Sequence, residues 1–282
     1  MAEKRQHASP TAELFAPEFE ELDTLLKLHP EKSNEMASLV MVKAYIHIEV
    51  LHDEETGRKL LLELKAGYPG TETAVMADRV LDYLTPEGKL KFATQVAEQA
   101  ARAKEREEKI ARLVGKPAPA LHFAWSSRTG LKTLDDLKGR VVVLDFFATW
   151  CGPCIGSFPR VREEVAHFWD SPVTFLGVTS LQGKVHHVES KPIDCSRDPE
   201  REMGLMPVFM KKHGITWDVA FSEEKVFNPD YAVGGIPFVA ILAPDGTVRH
   251  AGLNPNDPNA DLVARVEAIL REFNLPMPTA KD

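Results

Sequence analysis

The sequence predicts an α/β fold preceded by an all-α region, and three observations carry that prediction. Between residues 17 and 113 the apolar side chains recur at helical spacing. At Gly115-Lys116-Pro117-Ala118-Pro119 that periodicity stops. Beyond it, short apolar runs at 141–146, 173–178 and 238–242 alternate with helix-length segments, as expected for buried strands in a layered sheet. The expected domains are therefore a helical one over 1–113, ending in a long connector helix, and an α/β one over 114–282. The second carries an insertion at about 180–204.

Composition narrows the function classes. The chain of 282 residues suffices for one large or two ordinary domains, and 44 % apolar with 27 % charged residues is ordinary for a globular protein. A formal net charge of −8 argues against nucleic acid as a partner and gives no support to an anionic membrane surface. No run approaches the roughly 20 apolar residues of a membrane span, so no membrane anchor is visible. The start, MAEKRQHASP, lacks the apolar segment of a signal peptide, which is expected either of a cytosolic protein or of a mature or trimmed one. Three cysteines, two of them in C-x-x-C, do not make a disulfide framework and leave the redox compartment open.

Residues 1–15 are polar and expected to fray. From Pro17 a helix places Phe19, Leu22, Leu25 and Leu26 on one face, and His29-Pro30 stops it. A second helix is expected over about 33–51, with Met36, Leu39 and Val40 in its stripe, and a third over about 55–65. Tyr68-Pro69-Gly70 is a turn, and Thr71 caps a fourth helix carrying Ala77, Val80, Leu81 and Leu84. That turn, with Ala74 and Ala77, loosely resembles the joint of tetratricopeptide-like hairpins, which implies a protein partner at the helical domain. Small alanines at a helix crossing are more often plain close packing than a peptide-binding repeat. Thr85-Pro86 opens the long helix to about 113, with Glu98–Arg102, Glu105–Lys109 and Glu108–Arg112 at i, i+4, read as a solvated connector.

In the second domain, 121–125 reads as an edge strand and Arg128-Thr129-Gly130 as a turn. A helical turn over 134–139 precedes the strand 141–146, and a helix is expected over 155–169. The strand 173–178 leads through the insertion to a helix around 206–213. Pro244-Asp245-Gly246 joins the strand 238–242 to its partner 247–251. A final helix over about 260–273 carries Leu262, Val266, Ile269, Leu270 and Phe273 on one face. The expected order is β-α-β-α-β-β-α. Cys151 and Cys154 sit where a strand hands over to a helix N-terminus, where unpaired N–H groups and the helix dipole favour a thiolate. A lone C-x-x-C is either half a zinc site or a redox pair. No second pair exists here, and Cys195 with a histidine completes a zinc site poorly.

The order of elements, the Cys151-Gly152-Pro153-Cys154 turn after a buried strand, and Gly235-Ile236-Pro237 just before a strand look like a thioredoxin fold. The 115–119 opening, the Leu137-Lys138-Gly139 step and the F-x-A-T-W-C-G-P-C run resemble its TlpA/ResA-like branch over about 114–275. That branch consists mostly of membrane-anchored or periplasmic bacterial thiol–disulfide oxidoreductases. The resemblance therefore implies a cell-envelope or periplasmic enzyme acting on protein thiols and disulfides, fed by an upstream redox donor. It implies no cofactor beyond the Cys151–Cys154 disulfide itself.

By the same resemblance Cys151 is the exposed attacking thiol and Cys154 the buried resolving one. Asp145 matches the buried acid that accepts the Cys154 proton, because burial raises a carboxyl pKa. Trp150 shields the turn, Gly152 and Pro153 shape it, and Pro237 matches the cis-proline, with Ile236 a contact residue beside it. The Gly-Pro dipeptide resembles reducing thioredoxins, which favours reduction over oxidation. Two features depart from the pattern. Ile155-Gly156-Ser157 stands where the branch carries an acid, and the strand 173–179 offers no lysine near Asp145.

The insertion holds His186, His187, Asp194 and Cys195 without a recognised ligand spacing, so no metal is assigned. It reads as a solvated loop with a lone thiol, or with Cys195 as an accessory thiol for the Cys151–Cys154 pair. Two other functions compete. A thiol peroxidase would want a Thr-x-x-Cys, which Thr149-Trp150-Cys151 does not supply. A partner-binding adaptor would not need Cys151, Cys154, Asp145 and Pro237 together.

Overall fold

The structure, a computed structural model, describes residues 11–279. It divides into two compact units, Met1–Ala101 and Arg102–Asp282. The first unit holds α1 (Ala16–Leu28), α2 (Asn34–Tyr45), α3 (Glu54–Gly67), α4 (Glu72–Tyr83) and most of α5 (Pro86–Leu113). Ser33, Asp53 and Thr71 start α2, α3 and α4 by accepting the Met36, Thr56 and Ala74 N–H groups. A π turn, Ile46–Val50, prolongs α2. Val40, Met41, Ala44, Ile48, Leu61, Leu64, Ala74 and Ala77 form the core. Of the polar start, residues 1–10 lie outside the described residues. Ala12–Phe15 is not frayed but forms a 3-10 turn, with Phe15 stacked on Phe19 at 6.1 Å.

α5 is exposed over residues 89–109, as a solvated connector requires, and only its last turn is docked. Ile110 and Leu113, at i, i+3, pack into the core of the second unit, and Gly115 N–H donates to Val248 O at 2.7 Å. The expected ion pairs Glu105–Lys109 and Glu108–Arg112 lie on its exposed face. Among the described residues no helix is long and apolar enough to cross a membrane.

The second unit contains β1 (Phe123–Ser126), β2 (Val141–Phe146), α6 (Gly152–His167), β3 (Val173–Thr179), the short pair β4 (Lys184–Val185) and β5 (Ile193–Asp194), and α7 (Pro199–His213). β6 (Asp218–Ser222), β7 (Phe238–Leu242), β8 (Val248–Leu253) and α8 (Leu262–Glu272) complete it. Six strands form one mixed sheet in the order β1-β6-β3-β2-β7-β8. β2, β3 and β6 run parallel, whereas β1, β7 and β8 run antiparallel to their neighbours. This is a thioredoxin-like sheet. Alternate side chains of β2 serve two cores, as a pleated strand covered on both faces requires. Val141 and Val143 meet Phe158 and Val161 of α6 and Val266 and Ile269 of α8. Val142, Leu144 and Phe146 meet Leu113, Leu121 and Tyr231. Tyr231 Oη, donating to Pro119 O at 2.7 Å, fastens two loops over that second face.

Two expectations fail here. β6 is a sixth strand that the β-α-β-α-β-β-α order omits. Its run of three apolar residues, Val219-Ala220-Phe221, is too short to announce a strand, and its partners come from distant segments. The insertion is also shorter and more ordered than the solvated loop expected over 180–204. Asp198 caps α7 by accepting Arg201 N–H at 2.9 Å, with Pro199 in the first turn, so the helix begins seven residues before Met206. What remains is folded as the β4–β5 hairpin.

Candidate active site

Sheet register brings the site together. Phe146, the last residue of β2, pairs with Val178 near the end of β3 and with Phe238, the first residue of β7. Phe147 N–H donates to Val178 O at 3.0 Å. The segments after β2, β3 and β6 and the segment before β7 therefore leave the sheet along one edge. That edge holds Cys151, the insertion, Phe227 and Pro237.

Cys151 and Cys154 are joined by a disulfide. Cys151 is the N-cap of α6 and its Sγ receives the Cys154 N–H at 3.2 Å, while Pro153 occupies the first turn, where no N–H is needed. Ser157 Oγ donates to Cys154 O at 2.7 Å. Cys151 is not the exposed thiol expected of an attacking cysteine: only 2 % of it is accessible in this disulfide form, against none of Cys154. Gly152 is not demanded by the turn. Its backbone lies outside the left-handed region and a Cβ would meet nothing within 4 Å, so its smallness leaves open surface beside Cys151.

Asp145 on β2 is 3 % exposed, and neither carboxyl oxygen has a hydrogen-bond partner. Burial, aided by the negative charge of Glu164, pushes its pKa up to about 7. Glu164 was not foreseen. It lies ten residues after Cys154 on the same helix, buried, with Arg160 Nε at 3.3 Å, and burial pushes it too up to about 7 against the pull of Arg160. An acid near Asp145 thus exists, although not where Ile155-Gly156-Ser157 stands. The available signal was a glutamate three residues beyond Val161, on the apolar stripe of α6.

The Ile236–Pro237 peptide is cis, and Ile236 packs against both cores. Pro153 O accepts a hydrogen bond from Asn256 Nδ2 at 3.0 Å. Trp150, 40 % exposed, donates its indole N–H to Gln182 Oε1 at 3.1 Å and stacks on Phe227 at 6.3 Å. Sequence reasoning missed Gln182 and Phe227, whose spacing carries no signal. Among the described residues no three His, Cys, Asp or Glu side chains are grouped to hold a metal ion.

Cys195 is a free, buried thiol in the hairpin, and burial pushes its pKa up. A protonated, covered thiol is a poor exchange partner. Cys195→Ser is therefore expected to leave insulin reduction within twofold of wild type while lowering stability by roughly 1 kcal/mol. A tenfold slower reaction would restore Cys195 as an accessory thiol.

The fold and this site define a thioredoxin-like protein with a disulfide-forming cysteine pair at a helix N-terminus. The Redoxin family model matches residues 113–270, and the chain belongs to that family. It is similar to the thiol-disulfide oxidoreductase ResA of Bacillus subtilis, 28 % identical over 115 residues that cover 41 % of this chain and 54 % of that protein. It is similar also to the ResA of Bacillus anthracis, 26 % identical over 136 residues covering 48 % and 66 %. The chain thus spans about half to two thirds of the length of these relatives. A solved thioredoxin domain of a thiol-disulfide oxidoreductase from Bacteroides vulgatus is 18 % identical. It covers 55 % of this chain and 97 % of that domain, with a TM-score of 0.41.

Proposed function

We propose that the protein is a thiol–disulfide oxidoreductase that reduces disulfides of protein substrates in the cell envelope. The observation that supports this most is the Cys151–Cys154 disulfide at the start of α6, in the same core as a buried carboxyl, Asp145, that no hydrogen bond satisfies. In the reduced form the Cys151 thiolate attacks a substrate sulfur. A Cys151–substrate disulfide forms, and the first substrate sulfur leaves as a thiolate that takes a proton from water. Cys154 then gives its proton to Asp145 and attacks Cys151 Sγ. The Cys151–Cys154 bond forms, the second substrate thiolate leaves, and two electrons have passed to the substrate. An upstream dithiol donor, by the reverse exchange, restores the reduced pair.

Dithiothreitol-driven insulin reduction tests the reading. The oxidoreductase is expected to accelerate it severalfold at micromolar concentration, and a rate equal to the uncatalysed one would discard the proposal. A redox titration of the pair against glutathione tests the direction. A potential near −270 mV supports a reductase, and one near −120 mV would make it an oxidase.

A further inference from the structure

We infer that Glu202 is a positioning residue of the exchange site, acting through Gln182 and Trp150 on how a protein substrate is held. The inference rests on the exchange reading above and extends it to residues outside the thioredoxin-like motif.

Glu202 lies in the first turn of α7 and is only 3 % exposed. A carboxylate is seldom so covered unless it is paired. Both of its oxygens are taken by consecutive backbone N–H groups, Gln182 N to Oε1 at 2.7 Å and Gly183 N to Oε2 at 2.8 Å. Such charge-assisted pairs are short and directional. Gly183 turns there at φ +73°, and its carbonyl accepts Cys195 N–H at 2.8 Å, closing the hairpin. The two ends of the insertion thus meet at one buried carboxylate.

From that anchor the order passes to the cysteine loop. Gln182 Nε2 donates to Ser180 O at 2.9 Å and to Ser180 Oγ at 3.0 Å, which fixes the amide so that Oε1 faces the Trp150 indole N–H. Ser180 Oγ also accepts Val226 N–H at 2.9 Å, drawing the neighbouring Phe227 to the spot where it stacks on Trp150. His186 N–H donates to Thr149 Oγ1 at 3.1 Å, a second tie one residue before Trp150. Trp150 and Phe227, 40 % and 43 % exposed, form an apolar ledge immediately beside Cys151. A polypeptide reaching Cys151 must lie against this ledge. A small disulfide such as oxidised glutathione need not.

The test compares insulin with oxidised glutathione as substrates of the full chain. Glu202→Gln turns an N–H donor toward one of the two backbone donors, and Gln182→Ala removes the acceptor of the indole. Each is expected to raise KM for insulin about fivefold, roughly what one hydrogen bond is worth, with kcat within twofold. For oxidised glutathione kcat/KM should change less than twofold. The double variant should be no worse than either single one, because both break the same chain of contacts. Gln182 is only half-buried, so Gln182→Ala keeps the test informative where Glu202→Gln folds poorly. An unchanged insulin KM in both variants, or equal losses with both substrates, overturns the inference. A wild type inactive with both disulfides would instead remove the exchange reading on which it rests.

Discussion

Cys154→Ser is expected to accumulate a covalent mixed disulfide through Cys151, whereas Cys151→Ser should accumulate none and lose exchange altogether. The asymmetry follows from the two positions. Cys151 caps α6, where its Sγ receives the Cys154 N–H and faces the positive end of the helix dipole. Cys154, one turn along, has no accessible surface and can be reached only from Cys151. A serine at 151 offers no thiolate at neutral pH, so insulin reduction should fall severalfold, all the way to the uncatalysed background. A serine at 154 leaves the first attack intact and removes the resolving step. Mass spectrometry under non-reducing conditions should then show one substrate chain per Cys154→Ser molecule. Performing this in a Cys195→Ser background leaves Cys151 as the single remaining thiol. A mixed disulfide with Cys151→Ser, or continued turnover by it, would reverse the assignment.

The same edge shows how far the sequence carries. β2 was legible because a strand buried on both faces reads as a continuous apolar run, and Asp145 stood out as the one charge within it. α6 was legible because its apolar stripe is a local signal, although it starts at Gly152, three residues before the expected 155, with Pro153 inside its first turn. β6 was not, since its stability comes from pairing with β1 and β3, far away in the chain. Glu164 and Glu202 were missed for a related reason. A glutamate on a helix reads as solvent-facing until the packing around it is known, and both are covered by segments remote in sequence. The low exposure of Cys151 belongs here as well. No local pattern distinguishes an open N-cap from a covered one.

The three buried acids, Glu202, Asp145 and Glu164, are satisfied differently, and the difference separates their roles. Glu202 has a backbone N–H on each oxygen and serves as a fixed anchor. Asp145 has no donor on either oxygen, and Glu164 has one bare oxygen beside its Arg160 contact. A buried acid without donors gains nothing from ionising, so it keeps its proton up to neutral pH and can exchange it there. In the proposed exchange, Glu202 organises the surface that a substrate meets, and Asp145 supplies the proton chemistry beneath it.

Asp145→Asn should therefore make the oxidised protein more stable at alkaline pH while slowing its chemistry. A carboxyl whose pKa rises from 3.8 unfolded to about 7 folded binds more protons in the native state between those values. Stability is fully present below about pH 4, declines as pH rises, and levels off above about pH 7. The integrated loss is on the order of 4 kcal/mol. Asparagine removes that loss but leaves a buried amide without partners, at a cost of about 1–3 kcal/mol. The net gain at pH 8 should be roughly 1–3 kcal/mol, absent at pH 4, as read from urea unfolding at the two values. A variant less stable than wild type at pH 8 would show that ionising Asp145 costs less than burying the amide. The same substitution should slow resolution of a Cys151-linked mixed disulfide about tenfold at pH 7, because Cys154 loses its proton acceptor. In wild type the resolution rate should rise through pH 7 as Asp145 ionises. Glu164→Gln, by removing the nearby negative charge, should move that midpoint to lower pH, and an unshifted midpoint would detach Glu164 from the proton transfer.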